Sequence, residues 1–486
     1  MNQTKSPARK TRGYYINSAV SLLIIALFHL LPPFSTLTRT GMNVTGIFLG
    51  VIYAFSTVDI IWPALLGIFL LGCTELYTMT EAFTRAFGND TWLFILFILT
   101  FAAIINEAGV SASIANWVVS RPFSRRRPWV ISWLLLTTAY VVAALVSVTP
   151  AVVITWAILY TMCENFGYQP HDRYPTLMVI GITLAGLMGN TAFPFKSLSM
   201  MVLRSLQNLT GESVNFFVYT LLAVVLSYGI VMAYLLACRV LFRPDVQRIR
   251  DSDYVYEGET GLDAYQKRIL GLLALFFLLL FLPETLSGVL PAAAALSKLG
   301  KTAVCVLLLC LAGFFVKPET GRARVDLAAM MKKGVPWPTM MLLAFALLMT
   351  SSITNQATGI QPFLQSLFEP VFGSAPNPVI FILAVCAIQL VLTNVFANMV
   401  IALLLVPLVC TYAPLAGVSN VMMCVCICVL VNVSLLLPSS SPFAALLHGN
   451  SEWVTSRDVY RYFSLSLLLI LPMAVLLCST LGMLLF

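Results

Sequence analysis

The chain has 486 residues, of which 59% are hydrophobic and only 10% charged, with a mean hydropathy of +0.92 and a formal net charge of +8. A soluble protein of this length would carry about 25% charged residues. Composition therefore excludes a soluble globular enzyme and implies an all-α polytopic membrane protein.

The N-terminus is basic, with Lys5, Arg9, Lys10 and Arg12, and an apolar run from Tyr14 to Leu31 follows. Bulky residues and Pro32-Pro33 come next instead of a small-residue cleavage site, so the run reads as an uncleaved first helix. A membrane span needs about 20 apolar residues. On that measure the spans fall near 14–31, 42–56, 58–73, 91–108, 175–203, 214–241, 268–283, 302–316, 338–354, 418–448 and 461–486. Two of them, 175–203 and 418–448, are interrupted by Pro194-Phe195 and Pro442-Phe443.

Two further apolar segments, 129–162 and 378–412, carry a polar cluster near the middle: Ser147-Val148-Thr149-Pro150 and Thr393-Asn394-Val395. The arms beside the second cluster, about 15 residues each, reach about 22 Å as helix, short of the ~30 Å hydrocarbon core. Each segment is thus predicted as a re-entrant hairpin with its tip near mid-membrane. Ser147 lies 47 residues before Pro194, and Thr393 lies 49 before Pro442. Backbone broken at membrane depth is tolerated only inside protein or beside a water-filled cavity. Two such breaks, repeated once, point to a transporter site at a repeat interface. The predicted organisation is a tail and first helix over 1–41, repeat 1 over 42–242, a cytoplasmic loop over 243–267 and repeat 2 over 268–486.

Charge supports this count. With the N-terminus inside and both hairpins returning to their own side, 22 of the 28 Lys and Arg fall inside. Arg39, Arg85, Arg204, Lys298 and Lys301 fall outside, and Lys196 stays in the membrane. That asymmetry satisfies the positive-inside rule. It predicts a multi-pass protein of the cell (inner) membrane with a cytoplasmic N-terminus and an external C-terminus. It also explains the net charge without a nucleic-acid partner. The first hairpin then enters from inside and the second from outside, an inverted repeat.

The chemistry gathers at the breaks. Ser147, Thr149, Gly189, Asn190 and Thr191 surround the first pair, and Thr393, Asn394, Asn398, Ser439, Ser440 and Ser441 the second. Hydroxyls, amides and freed carbonyls are hard donors that suit a small alkali cation. The sodium candidates are Ser147, Thr149, Gly189, Asn190, Thr393, Asn394, Ser439 and Ser440. Lys196 has two readings: an ammonium that replaces a bound cation or meets an anionic substrate, or a lysine snorkelling to an interface. Asp59 and Glu107 read as interfacial residues at span ends, and His448 as a packed histidine. Cys424, Cys426 and Cys428 read as small buried residues, with Cys426 pointing away from the other two. The histidines at 29, 171 and 448 are too scattered for a membrane-embedded enzyme, and no cofactor is implied beyond sodium as coupling ion.

At these residues the chain resembles the divalent anion/sodium symporter family of the ion-transporter superfamily. Its members carry a Ser-Asn-Thr signature at each hairpin tip and a Thr-Pro-Pro-Asn-like loop in each broken helix. Here the tips read Ser147-Val148-Thr149 and Thr393-Asn394-Val395, and the loops Phe193-Pro194-Phe195-Lys196 and Ser441-Pro442-Phe443-Ala444. Val148 and Val395 depart from the signature. The resemblance implies a homodimeric, elevator-type carrier of di- or tricarboxylates or oxyanions, with sodium held by tip and loop atoms. With Lys196 from its depth in the membrane, the substrate-binding candidates are Ser147, Val148, Thr149, Lys196, Thr393, Asn394, Val395, Ser441 and Pro442. The expectation is a sodium-coupled secondary transporter of small organic anions. The alternatives are a sodium-independent exchanger or proton-coupled carrier in which Lys196 replaces a cation, and a channel or receptor on the same fold.

Overall fold

A computed structural model describes residues 12–119, 126–252, 262–286, 298–313, 325–353, 355–360, 362–363, 366, 377–395, 398–438 and 440–485. Ser439 lies outside the described residues. All regular structure among them is helical. In chain order the main helices are α1 (Arg12–Leu30), α2 (Arg39–Thr57), α3 (Ile61–Gly72), α4 (Met79–Phe87), α5 (Asp90–Glu107), α6 (Val110–Val119), α7 (Pro128–Leu145), α8 (Val148–Asn165), α9 (Arg173–Gly189) and α10 (Ser197–Thr210). They continue as α11 (Phe216–Ala237), α12 (Ala264–Leu286), α13 (Lys301–Gly313), α14 (Leu327–Gly334), α15 (Trp337–Ile353), α16 (Pro378–Thr393), α17 (Asn398–Tyr412), α18 (Asn420–Leu430), α19 (Pro442–Gly449) and α20 (Ser456–Leu477).

Six described helices are long and apolar enough to cross a membrane by length and composition. Five of them fall on predicted spans and the sixth, α7, is an arm of the first predicted hairpin; the remaining predicted spans fall on helices that do not meet this measure, such as α3 and α13, and on the two broken spans. The short helices α4, α6 and α14 were not anticipated from the apolar runs. Local signals explain many helix ends. Pro128, Pro378 and Pro442 open α7, α16 and α19, where a missing N–H leaves no bond unmade. Thr78 and Glu81 form a reciprocal capping box on α4.

The chain divides into two compact units. One comprises residues 1–92 and 336–373. Within it α15 packs against α2, α3 and α4, and the Thr38 hydroxyl, which caps α2, donates to the carbonyl of Ala357 at 2.6 Å.

The other unit, residues 93–335 and 374–486, holds both polar hairpins and both broken helices. The contacts give their sense. Ser132 bonds Tyr174, Leu136 lies on Gly181 and Tyr140 on Gly189. The numbers rise together, so α7 runs parallel to α9. Val148 and Val152 lie on Gly186, and Trp156 donates to the carbonyl of Val179, so α8 runs antiparallel to α9. Residues 128–165 are therefore a hairpin with its tip at 146–147. The second copy repeats this. Cys386 meets Cys426, Gln389 bonds the carbonyl of Ile427 and Thr393 that of Val431, so α16 runs parallel to α18. The returning arm α17 brings Cys410 to Cys424 across the short turn before α18. Both first-hairpin arms have 18 residues, about 27 Å of helix. The second-hairpin arms have 16 and 15.

The two copies interlock. Helix α10, beyond the first break, packs on α17 and α18; α19, beyond the second, packs on α9.

Candidate functional site

At the first tip α7 ends at Leu145 and α8 begins at Val148, with Ser147 extended between them. The last carbonyls of a helix have no intrahelical donor and carry the negative end of its dipole. Lys196 answers them. Its Nζ donates to the carbonyls of Ala143 at 3.2 Å and Val146 at 3.1 Å. The lysine reaches them because it N-caps α10 in an extended conformation right after the break. It is a half-buried tether from the first broken helix to the first tip, not a snorkelling side chain. The ammonium occupies carbonyls of the kind that would otherwise coordinate a cation.

Around this tether several polar groups stay free. Ser147 makes no capping bond. Thr149 is exposed, and the Asn190 amide, half-buried at the C-cap of α9, has no partner among the described residues. Gly189 serves packing: a Cβ there would stand 2.1 Å from the Tyr140 carbonyl oxygen. Val148 is buried against Gly186. Thr191 turns its hydroxyl onto the Met188 carbonyl. The apolar Phe193 and Phe195 are anchors. They stack on each other at 5.2 Å and join Phe276, Phe277 and Phe281 of α12 in one aromatic cluster. Their place in the loop reflects that packing.

The second tip is closed differently. Thr393 donates to the Val431 carbonyl. Asn394 uses its whole amide: Nδ2 donates to Leu390 and Val433 carbonyls at 2.8 and 2.9 Å, and Oδ1 accepts from the N–H groups of Leu435 and Leu436. His448 meets the carbonyls of the same two residues, with Nε2 3.2 and 3.1 Å from those of Leu435 and Leu436. Both are acceptors, so Nε2 carries the proton, and Nδ1 faces the Ser456 hydroxyl at 2.9 Å. Asn394 and His448 thus hold the unwound stretch from both sides. Ser440 and Ser441 donate to the Ser434 carbonyl, and Ser441 also caps α19. Val395, 48% exposed, and Pro442 remain on the surface.

Sequence reasoning missed two residues here. His448 was read as bland packing. Ser434 was not singled out, yet its hydroxyl is fully buried without a hydrogen-bond partner among the described residues. The signal was present in Asn432 and Ser434, two polar residues inside the interrupted apolar run. A buried hydroxyl without a partner calls for one. Ser434 lies among break carbonyls and the Ser440 and Ser441 hydroxyls, an all-oxygen set that fits a small hard cation. At the first tip an ammonium already stands on the carbonyls of Ala143 and Val146.

The sequence profile of the citrate transporter family, CitMHS, matches residues 47–326. Among solved structures, the YdaH transporter of Alcanivorax borkumensis, reported as having an unusual topology, is similar over 91% of this chain and 98% of its own. The TM-score is 0.57 and the identity 14%, so the likeness is one of fold. No curated protein matches the chain in sequence.

Proposed function

The chain belongs to the citrate transporter family, and on that basis we propose that this multi-pass secondary transporter carries small organic anions of the di- and tricarboxylate class across the cell membrane. The substrate meets the first tip through Ser147, Thr149 and Asn190, whose polar groups are free. The exposed Thr149 and Val395 frame the tips.

The observation that carries the coupling reading is the Lys196 ammonium on the Ala143 and Val146 carbonyls. Coupling is sodium symport with one ion site, at Ser434, Ser440 and Ser441 in the second break. At the first tip the cation is part of the chain. Positive charge near the pocket is needed because a carboxylate in low dielectric is costly. A sodium-independent exchanger is the second reading, favoured by the same lysine if the second break takes no ion.

Transport is by an elevator motion within a homodimer. The motion is supported by one compact unit holding both hairpins and both breaks. The inverted repeats, 42–242 and 268–486, are supported by the matching sense of α7 to α9 and α16 to α18. A cytoplasmic N-terminus and external C-terminus accord with polar pairs that join segments the charge pattern puts on one side: Glu107 with Lys333, Asp172 with Arg248, and Glu212 with Asn420.

Uptake of labelled citrate into proteoliposomes tests this. A sodium gradient should drive accumulation with a sodium dependence of slope near one. Uptake indifferent to sodium but stimulated by internal substrate would replace symport with exchange. Flux without saturable counterflow would indicate a channel.

A further inference from the structure

Helix α7, which ends at the first tip, and α11 run antiparallel: Arg239 lies over the Trp129 ring, Trp133 bonds Tyr228, and Tyr140 bonds Ser227. At the start of α7 and the end of α11 they part around a groove of about 320 Å³. Trp129, Val130, Trp133, Met232, Leu235 and Leu236 line it, with Arg239 beside them. Trp133 and Leu236 are 37% and 49% exposed. Both helices are long and apolar enough to span a membrane, so such exposed apolar side chains face lipid.

We propose that this groove is a binding site for one anionic phospholipid, with an acyl chain along the tryptophans and the phosphate on Arg239. Four observations select that occupant. The groove is nearly all apolar, yet one guanidinium stands at it. Arg239 is exposed and has no carboxylate within ion-pair distance among the described residues. Its guanidinium stands 6.0 Å from the Trp129 ring centroid, an orientation that leaves N–H donors for an anion. The exposed Arg126 and Arg127 precede Trp129 within one turn, so the groove ends in a basic cluster beside interfacial tryptophans, the combination that recognises anionic lipid at the cytoplasmic leaflet. A carboxylate-rich protein segment would match the arginines but not an apolar trough between two membrane helices. A lipid held here braces the base of α7, whose other end carries the Lys196 tether, so the site bears on the first hairpin.

Native mass spectrometry of the full chain in detergent, titrated with phosphatidylglycerol or phosphatidylcholine, tests this. Phosphatidylglycerol should be retained at one tight copy per protomer and phosphatidylcholine only weakly. Arg239→Gln should lower phosphatidylglycerol retention about fivefold, the ~1 kcal/mol of one basic side chain at an anionic surface, while Arg239→Lys keeps most of it. Trp133→Ala should weaken both lipids at an unchanged melting temperature. Equal retention by Arg239→Gln would overturn the proposal. So would competition by soluble glycerol phosphate, which would make this a free-anion site. Loss of dimer in Trp133→Ala with lipid retention intact would make the groove a contact between copies and overturn it too.

Discussion

Replacing Lys196 by alanine removes the donor from two carbonyls, 3.2 and 3.1 Å from Nζ. A buried carbonyl left without its charged donor costs about 1.5 kcal/mol, so the pair amounts to about 3 kcal/mol. That is roughly a hundredfold in the equilibrium holding the first tip against the first broken helix. The proposed substrate site is this tip, so Lys196→Ala should lower citrate uptake by about that factor at low sodium. The vacated carbonyls are hard donors at a helix C-terminus and should accept a free cation. High sodium should then restore part of the uptake, and the sodium dependence should steepen from a slope near one towards two. Lys196→Met, which keeps length without charge, should lose uptake with less sodium recovery because its side chain still fills the space. The assay is initial uptake in proteoliposomes with sodium replaced by N-methylglucamine. Two results would refute the reasoning: wild-type rate and slope in both variants, or a loss in Lys196→Ala that no sodium concentration relieves while the melting temperature is unchanged.

Asn394→Leu removes four hydrogen bonds that join the second tip to the second break. Stability should fall by about 3–4 kcal/mol, read as a melting temperature well below that of Thr149→Val, which loses no bond. His448→Gln, which can still donate to the Leu435 and Leu436 carbonyls, should transport near wild type. His448→Phe should lose uptake severalfold, and equal rates would show that the grip is unimportant. Gly189→Ala would put a Cβ 2.1 Å from the Tyr140 carbonyl oxygen and should cost about 2–3 kcal/mol by forcing α7 off α9, visible as lower yield and melting temperature. Outside the membrane, the Thr78 N–H and hydroxyl hold the Glu81 carboxyl below its ordinary 4.5. The cap therefore stabilises α4 fully above pH 4.5 and fails as pH falls through the lowered value. Amide exchange over residues 79–87 should accelerate on acidification, and Glu81→Gln should flatten that dependence.

Much of the fold was legible in the sequence because a membrane protein writes its elements in hydropathy. Both hairpins, both broken helices and their order follow from where polar residues interrupt apolar runs. The pairing of Ser147 with Pro194 and Thr393 with Pro442 carried the repeat. The candidate site was only partly legible. Residue type could mark Lys196, Asn394 and Ser441 as unusual at membrane depth, but it could not say which atoms they face. Phe195, read only as part of the loop sequence, is an anchor on Phe276 and Phe277. His448 looked incidental and holds the second break.

By itself the sequence determined that this chain lies in a bilayer, where its backbone breaks, and that the breaks come in two copies, because the cost of burying charge and unpaired backbone in hydrocarbon is written into composition and order. Only the tertiary structure decided how the copies differ. In the first, an ammonium stands on the carbonyls of Ala143 and Val146. In the second, Asn394 and His448 grip one unwound peptide and leave the Ser434 hydroxyl without a partner among the described residues. Hydrogen bonds form between groups far apart in the chain, within distances of about 3 Å, and no spacing along a sequence specifies them.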